Sequence, residues 1–171
     1  MASLRRILKR QLDAFIYGLI GPFSVLYLFP RFFLDIENQL GVNFEAVFIL
    51  KWIGIILMNF GGVLAIWCAI IMYISKKATP SPFSTPQKVV TNGPYKYVRH
   101  PMMWSLNFVI IGQVLVWSSP FVFVWFLIWI RFSIIYVAKY EEPYLISLFG
   151  KEYLDYCKNT PRWIPRVLIK N

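Results

Sequence analysis

The chain has 171 residues, 58% of them hydrophobic and 19% aromatic, and carries a formal net charge of +10. So much apolar surface cannot be hidden in the core of a soluble domain of this size, which excludes an ordinary globular enzyme. The positive charge alone would suit nucleic acid, but no basic groove motif accompanies it, so membrane lipids and not nucleic acid are the expected partners.

Along the chain, Leu4, Ile7, Leu8 and Leu12 recur at helical spacing among Arg5, Arg6, Lys9 and Arg10, the pattern of a basic amphipathic helix lying on a membrane. Phe15 to Leu34 is an apolar stretch containing Pro22, Pro30 and Arg31, which predicts a kinked first span. It lacks a small-residue cleavage pattern and is too long for a signal-peptide core, so it is expected to be retained. Gly41 and Asn43 mark a short external loop. Trp52 to Ile74 has no charged residue and predicts the second span, with a stripe of Gly61, Ala65 and Ala69 for close approach of a neighbour within the bundle.

Residues 75–94 contain Pro80, Pro82 and Pro86, which forbid regular helix, while Val89, Val90 and Tyr95 predict a loop folded back over the bundle. Met102 to Ile130 is again uncharged and reads as a hairpin of two spans broken at Ser118, Ser119 and Pro120. Arg131 interrupts the fourth span and is expected to face protein, water or ligand. In the tail, Glu141, Leu145 and Leu148 share a helical face, Gly150 ends that helix, Glu152 to Tyr156 gives a further turn or two, and Pro161 and Pro165 end regular structure. Pro143 predicts a break near 139–143.

The expected fold is therefore all-α: one polytopic membrane domain over residues 1–171, with about four transmembrane helices, a cytoplasmic cofactor pocket and short C-terminal helices. Lys76, Lys77, Lys88, Lys96 and Arg99 fill the second loop without an acid, whereas Asp35, Glu37 and Glu45 lie between the first two spans. The positive-inside rule then puts both termini and the loop 75–100 in the cytoplasm. Cys68 falls within a span and Cys157 in the tail, so no disulfide is expected between them. No metal-ligand set is expected.

Two constellations carry the chemistry. His100-Pro101 should start the third span, because a residue before proline leaves the helical region and proline suits the first helical position. The free N–H groups of that helix mouth, with Arg99 and His100 beside them, form an anion site; the alternative is that Arg99 reaches lipid phosphates and His100 caps the helix. Glu141-Glu142, directly after the last span, either offsets neighbouring lysines or binds a cationic group of a ligand.

Gly93-x-Tyr95-x-x-x-Arg99-His100-Pro101, then Glu141-Glu142-x-x-Leu145-x-x-x-Phe149-Gly150-Lys151-Glu152-Tyr153-x-x-Tyr156, then Pro161-Arg162-x-Ile164-Pro165, resembles the isoprenylcysteine carboxyl methyltransferase family and its phospholipid methyltransferase relatives, over residues 84–167. The resemblance implies an integral-membrane enzyme that uses S-adenosylmethionine to methylate a lipidic or small apolar acceptor at the cytoplasmic face. It implies a cofactor pocket lined by Gln87, Lys88, Val89, Val90 and Tyr95, by His100, Pro101, Met102 and Met103 at the start of the third span, and by Glu141 from the tail. Two departures stand out: Met103 replaces a familiar tyrosine, and Val137 replaces the arginine held to meet a substrate carboxylate. Arg131 or Lys139 is expected to substitute for that arginine in binding substrate. The competing readings are an NADPH-dependent sterol-type membrane reductase, which shares an Arg-His-Pro step, and a non-catalytic membrane subunit.

Overall fold

The computed structural model describes residues 20–42, 44–45, 47–75 and 88–165. The amphipathic stretch 1–12, the start of the first apolar segment, Asn43, the three loop prolines, Gln87 and residues 166–171 lie outside the described residues.

Regular structure among the described residues is entirely helical. Residues 20–39 form one continuous helical run, whose second part is α1 (Phe29–Gln39), preceded by a π-helical turn over Ser24–Leu28. Pro30 accounts for that turn. It has no N–H to give Leu26, its partner in an α-helix, or Val25, its partner in a π-helix, while the Phe29 N–H goes to the Ser24 carbonyl. The two freed carbonyls are taken by side chains of other helices. Gln113 Nε2 donates to Leu26 O at 2.7 Å and Trp125 Nε1 to Val25 O at 3.1 Å. The kink expected from Pro30 is thus a widened turn whose open carbonyls fasten the segment to the bundle.

Next come α2 (Phe48–Ser75), a 3-10 turn over Gly93–Lys96, α3 (Pro101–Trp117) and α4 (Pro120–Tyr136). The α2–α3 pair is the principal packing contact of the molecule. Glycine makes it possible: a Cβ on Gly61 would stand 2.6 Å from the Ser105 carbonyl oxygen, and one on Gly54 equally close to that of Gly112. The seam therefore runs Gly54, Gly61, Cys68, all buried and seven residues apart. This corrects the expected Gly61, Ala65, Ala69 stripe, since Ala69 is exposed. A four-residue spacing follows one row of the helix surface, whereas two nearly parallel helices meet along a seam of period close to seven.

The α3–α4 turn has Ser118 at φ 49°, and Ser119 caps α4 by accepting the Val122 N–H at 3.1 Å. The Ser119 hydroxyl also donates to the buried Glu37 carboxylate, tying the turn to α1. Ile110, Trp125 and Trp129 form the core, with Val25, Leu26 and Phe33 packed on them.

The expected break at 139–143 is absent. The chain stays helical from Pro120 to Phe149 through a second π-helical turn, Val137–Glu141, which leads into α5 (Glu142–Phe149). Here the Glu142 N–H bonds the Val137 carbonyl, and the wider turn admits Pro143, which has no N–H to donate. Gly150, at φ +54°, separates α5 from α6 (Lys151–Asn159). Phe48–Ser75 and Pro120–Phe149 are each long and apolar enough to cross a bilayer, while the apolar α3 is shorter, at 17 residues.

Candidate functional site

The site lies where the start of α3 meets the polar end of the α4–α5 run. His100 lies outside the helical region, at φ −123° and ψ 62°, as a residue before proline should, and Pro101 occupies the first position of α3. His100 does not cap the helix with its side chain. Its ring faces both glutamates instead, with Nδ1 3.4 Å from Glu141 Oε1 and Nε2 3.3 Å from Glu142 Oε1. Burial works to lower the His100 pKa, but the bonds to Glu141 and Glu142 outweigh it and raise it above the ordinary histidine value.

Glu142 is buried at 5% exposure and surrounded by cations. Arg99 Nη1 donates to its Oε1 at 2.7 Å and Arg162 Nε donates to the same oxygen at 3.0 Å, while Arg162 Nη2 holds Oε2. The Arg162 contact is the two-pronged form that suits a guanidinium and a carboxylate. Burial alone would raise the Glu142 pKa; the bonds from His100 and Arg162 and the charge of Arg99 overcome it and hold the carboxyl at about 2.

The C-terminal segment is fastened across this cluster. Arg99 N–H donates to the Pro161 carbonyl at 2.9 Å, Trp104 Nε1 to the Trp163 carbonyl at 2.9 Å, and Tyr156 Oη to the Tyr95 carbonyl at 2.6 Å. Together these bonds close one wall of a cavity of about 330 Å³.

Most of the expected site residues meet in that cavity. Lys88, Val89, Val90 and Tyr95 line it from the loop, His100, Met102 and Met103 from the start of α3, and Glu141 from the π-helical turn. Pro101 is buried beside them without lining the cavity, and Gln87 lies outside the described residues. Arg131 and Lys139 are not brought in: both are exposed on the outer surface of the α4 run and neither reaches the cavity lining. The exposed position of Arg131 places it on the outer face of α4, away from the cavity.

Sequence reasoning missed Tyr153, which lines the cavity at 3% exposure, and the apolar lining contributed by Pro22, Leu26, Ala65, Met72 and Leu106. The signal for Tyr153 was present, since it stands in the motif that follows Gly150. The apolar lining had none.

Among the described residues, four buried side-chain polar atoms have no hydrogen-bond partner: Arg99 Nε, Gln113 Oε1, Glu141 Oε2 and Tyr153 Oη. Arg99, Glu141 and Tyr153 all line the cavity. Native interiors rarely leave such groups unpaired, and these three are available to bond a polar ligand. The cavity thus has one charged end with unpaired donors and an acceptor, and one apolar end.

The sequence model of the phospholipid methyltransferase family matches residues 49–152, more than half of the chain. A methanethiol S-methyltransferase of Crocosphaera subtropica is 24% identical over 176 residues, covering 94% of this chain and 64% of its own length. Methanethiol S-methyltransferase 1 of Bradyrhizobium diazoefficiens is 26% identical, covering 94% of this chain and 57% of its own length. A protein-S-isoprenylcysteine O-methyltransferase of Dictyostelium discoideum is 30% identical over 130 residues, with 70% of this chain and 51% of its own length covered. The chain thus spans between half and two thirds of the length of these relatives. No solved structure is a significant match to it.

Proposed function

The chain belongs to the phospholipid methyltransferase family, and from that premise we propose that it is an integral-membrane methyltransferase. In this reading it uses S-adenosylmethionine to methylate a lipidic or small apolar acceptor at the cytoplasmic face. The observation that carries the proposal is the cavity's division: Arg99, Glu141 and Tyr153 hold unpaired polar atoms at one end, and Leu26, Ala65 and Leu106 form an apolar wall at the other. A zwitterionic methyl donor fits the first and an apolar acceptor the second.

S-adenosylmethionine supplies an electrophilic methyl group on a sulfonium, whose transfer to a nucleophile depends mainly on alignment of the reacting atoms. The residues of this chain are suited to alignment. Lys88, Val89, Val90 and Tyr95 cover the cavity from one side, and Met102 and Met103 floor it at the start of α3. His100 is engaged by carboxylates at both ring nitrogens, which suits it to hold Glu141 in position and leaves it no free lone pair to act as base. Val137 is fully buried, and Arg131 and Lys139 are outside the cavity, so among the described residues none of these three positions offers a cation to an acceptor carboxylate. That favours an acceptor without a carboxylate over a prenylcysteine. The two methanethiol S-methyltransferases among its relatives are in keeping with a sulfur nucleophile.

A four-crossing topology with the cavity on the cytoplasmic side agrees with the charge distribution. Lys96, Arg99, Lys151, Lys158 and Arg162 stand at the cavity end of the sequence elements, whereas Asp35 and Glu37 lie near the end of α1 and Glu45 in the segment that follows it. A reductase reading gains nothing from the family match. The test is thermal unfolding of the full chain in detergent. S-adenosylmethionine and S-adenosylhomocysteine should each raise the midpoint in a concentration-dependent way, and NADPH should not. A shift with NADPH and none with the adenosyl compounds would overturn the proposal.

A further inference from the structure

The geometry points to an amino-acid subsite at the polar end of the cavity, in which Tyr153 Oη and Arg99 Nε bind the carboxylate of the ligand and Glu141 Oε2 its ammonium group. It rests on the cofactor reading above and adds to it two residues and a division of labour.

Each of the three side chains has a reason to be committed elsewhere, and each leaves one atom uncommitted. Tyr153 is 3% exposed and its ring is tilted against that of Tyr156 with centroids 5.9 Å apart, yet only the Tyr156 hydroxyl has an acceptor. Arg99 directs Nη1 to Glu142 at 2.7 Å and to Cys157 Sγ at 3.1 Å, while its Nε–H meets nothing. Glu141 faces His100 with Oε1 and leaves Oε2 unpaired. A buried polar atom without a partner destabilises the protein, so three in residues lining one cavity are best explained by a ligand that satisfies them.

Their chemistry selects the ligand group. Burial pushes the Tyr153 phenol pKa up, which keeps the O–H as a donor at physiological pH. Two donors, one of them on a cation, select an anion, and a lone carboxylate oxygen selects a cation or an N–H group. A carboxylate and an ammonium on the same carbon present both. The start of α3 is a poorer anion site than its place suggests, because Pro101 has no N–H and the Met103 N–H is bonded to the His100 carbonyl at 3.2 Å. The side-chain donors therefore take the role that the helix mouth was expected to fill.

The test is calorimetric titration of the detergent-solubilised full chain, wild type and Tyr153→Phe, with S-adenosylhomocysteine and with its analogue lacking only the carboxylate. In the variant, affinity for S-adenosylhomocysteine should fall roughly 10- to 100-fold, as for loss of a hydrogen bond to a charged group, while affinity for the decarboxylated analogue stays within about twofold. The ligand-free variant should unfold at the same temperature as wild type or higher, since an unpaired buried hydroxyl has been removed. Equal losses for both ligands, no loss for either, or a lowered midpoint of the ligand-free variant would overturn the subsite alone. Wild-type protein that binds neither compound would overturn the subsite together with the cofactor reading.

Discussion

Glu142 takes up Arg99, Arg162 and His100 at once, and through them it joins the loop before α3, the start of α3 and the C-terminal segment. Removing its charge leaves Arg99 and Arg162 without their carboxylate, while His100 keeps Glu141. Glu142→Gln should therefore cost about 3–5 kcal/mol of stability, measured by urea unfolding in detergent. The same cluster sets a pH dependence. The His100 pKa is raised, so its contribution is complete below the ordinary value of 6.5 and is lost as pH rises through the raised value. The Glu142 pKa is lowered, so its contribution is complete above the ordinary 4.5 and is lost as pH falls through about 2. Stability from this cluster should be flat between those ordinary values and decline on the alkaline side. His100→Gln should abolish the alkaline decline when midpoints are compared between about pH 6 and about pH 9. The paired acids were legible in the sequence, but their different duties were not. Adjacent residues on a helix point about 100° apart, and the π-helical turn that ends at Glu141 shifts the facing again.

At the scale of elements, the two devices that matter are glycine contact between α2 and α3 and π-helical turns at the two prolines. A methyl group at position 61 would meet a backbone carbonyl that cannot move independently of α3, whereas position 62 has open space. Gly61→Ala should destabilise the protein by about 1–3 kcal/mol through overpacking. Gly62→Ala should be neutral or stabilising by up to about 1 kcal/mol through helix propensity. Thermal midpoints of the two variants beside wild type check both. Helix boundaries at Pro101, Ser118 to Pro120 and Gly150 were readable because each rests on local backbone chemistry. The seam between helices was readable in kind but not in register. Pro30 and Pro143 were readable as disturbances, yet whether a helix breaks or widens depends on whether distant side chains such as Gln113 and Trp125 reach its freed carbonyls.

Across the whole molecule, the cavity is assembled from segments as far apart in sequence as Pro22 and Tyr156, and only part of that assembly shows in one dimension. Lys88 to Met103 and Glu141 could be joined because their motifs stand in a recognisable order around a hairpin. Leu26, Ala65 and Leu106 could not, because these helices are apolar on most sides and composition does not say which face turns inward. Arg131 and Lys139 were drawn toward the site by charge alone, and charge carries no direction. What unites the molecule is a charged pocket mouth above an apolar interior, the arrangement expected where a polar donor from one side meets an apolar acceptor from the other. Equilibrium binding of labelled S-adenosylmethionine to the full chain, wild type and Glu141→Ala, tests that most directly. A single saturable site, displaced by S-adenosylhomocysteine and weakened by about 1.5–3 kcal/mol in the variant, is the expected result. Undetectable binding to the wild type, or affinity unchanged by the substitution, would contradict it.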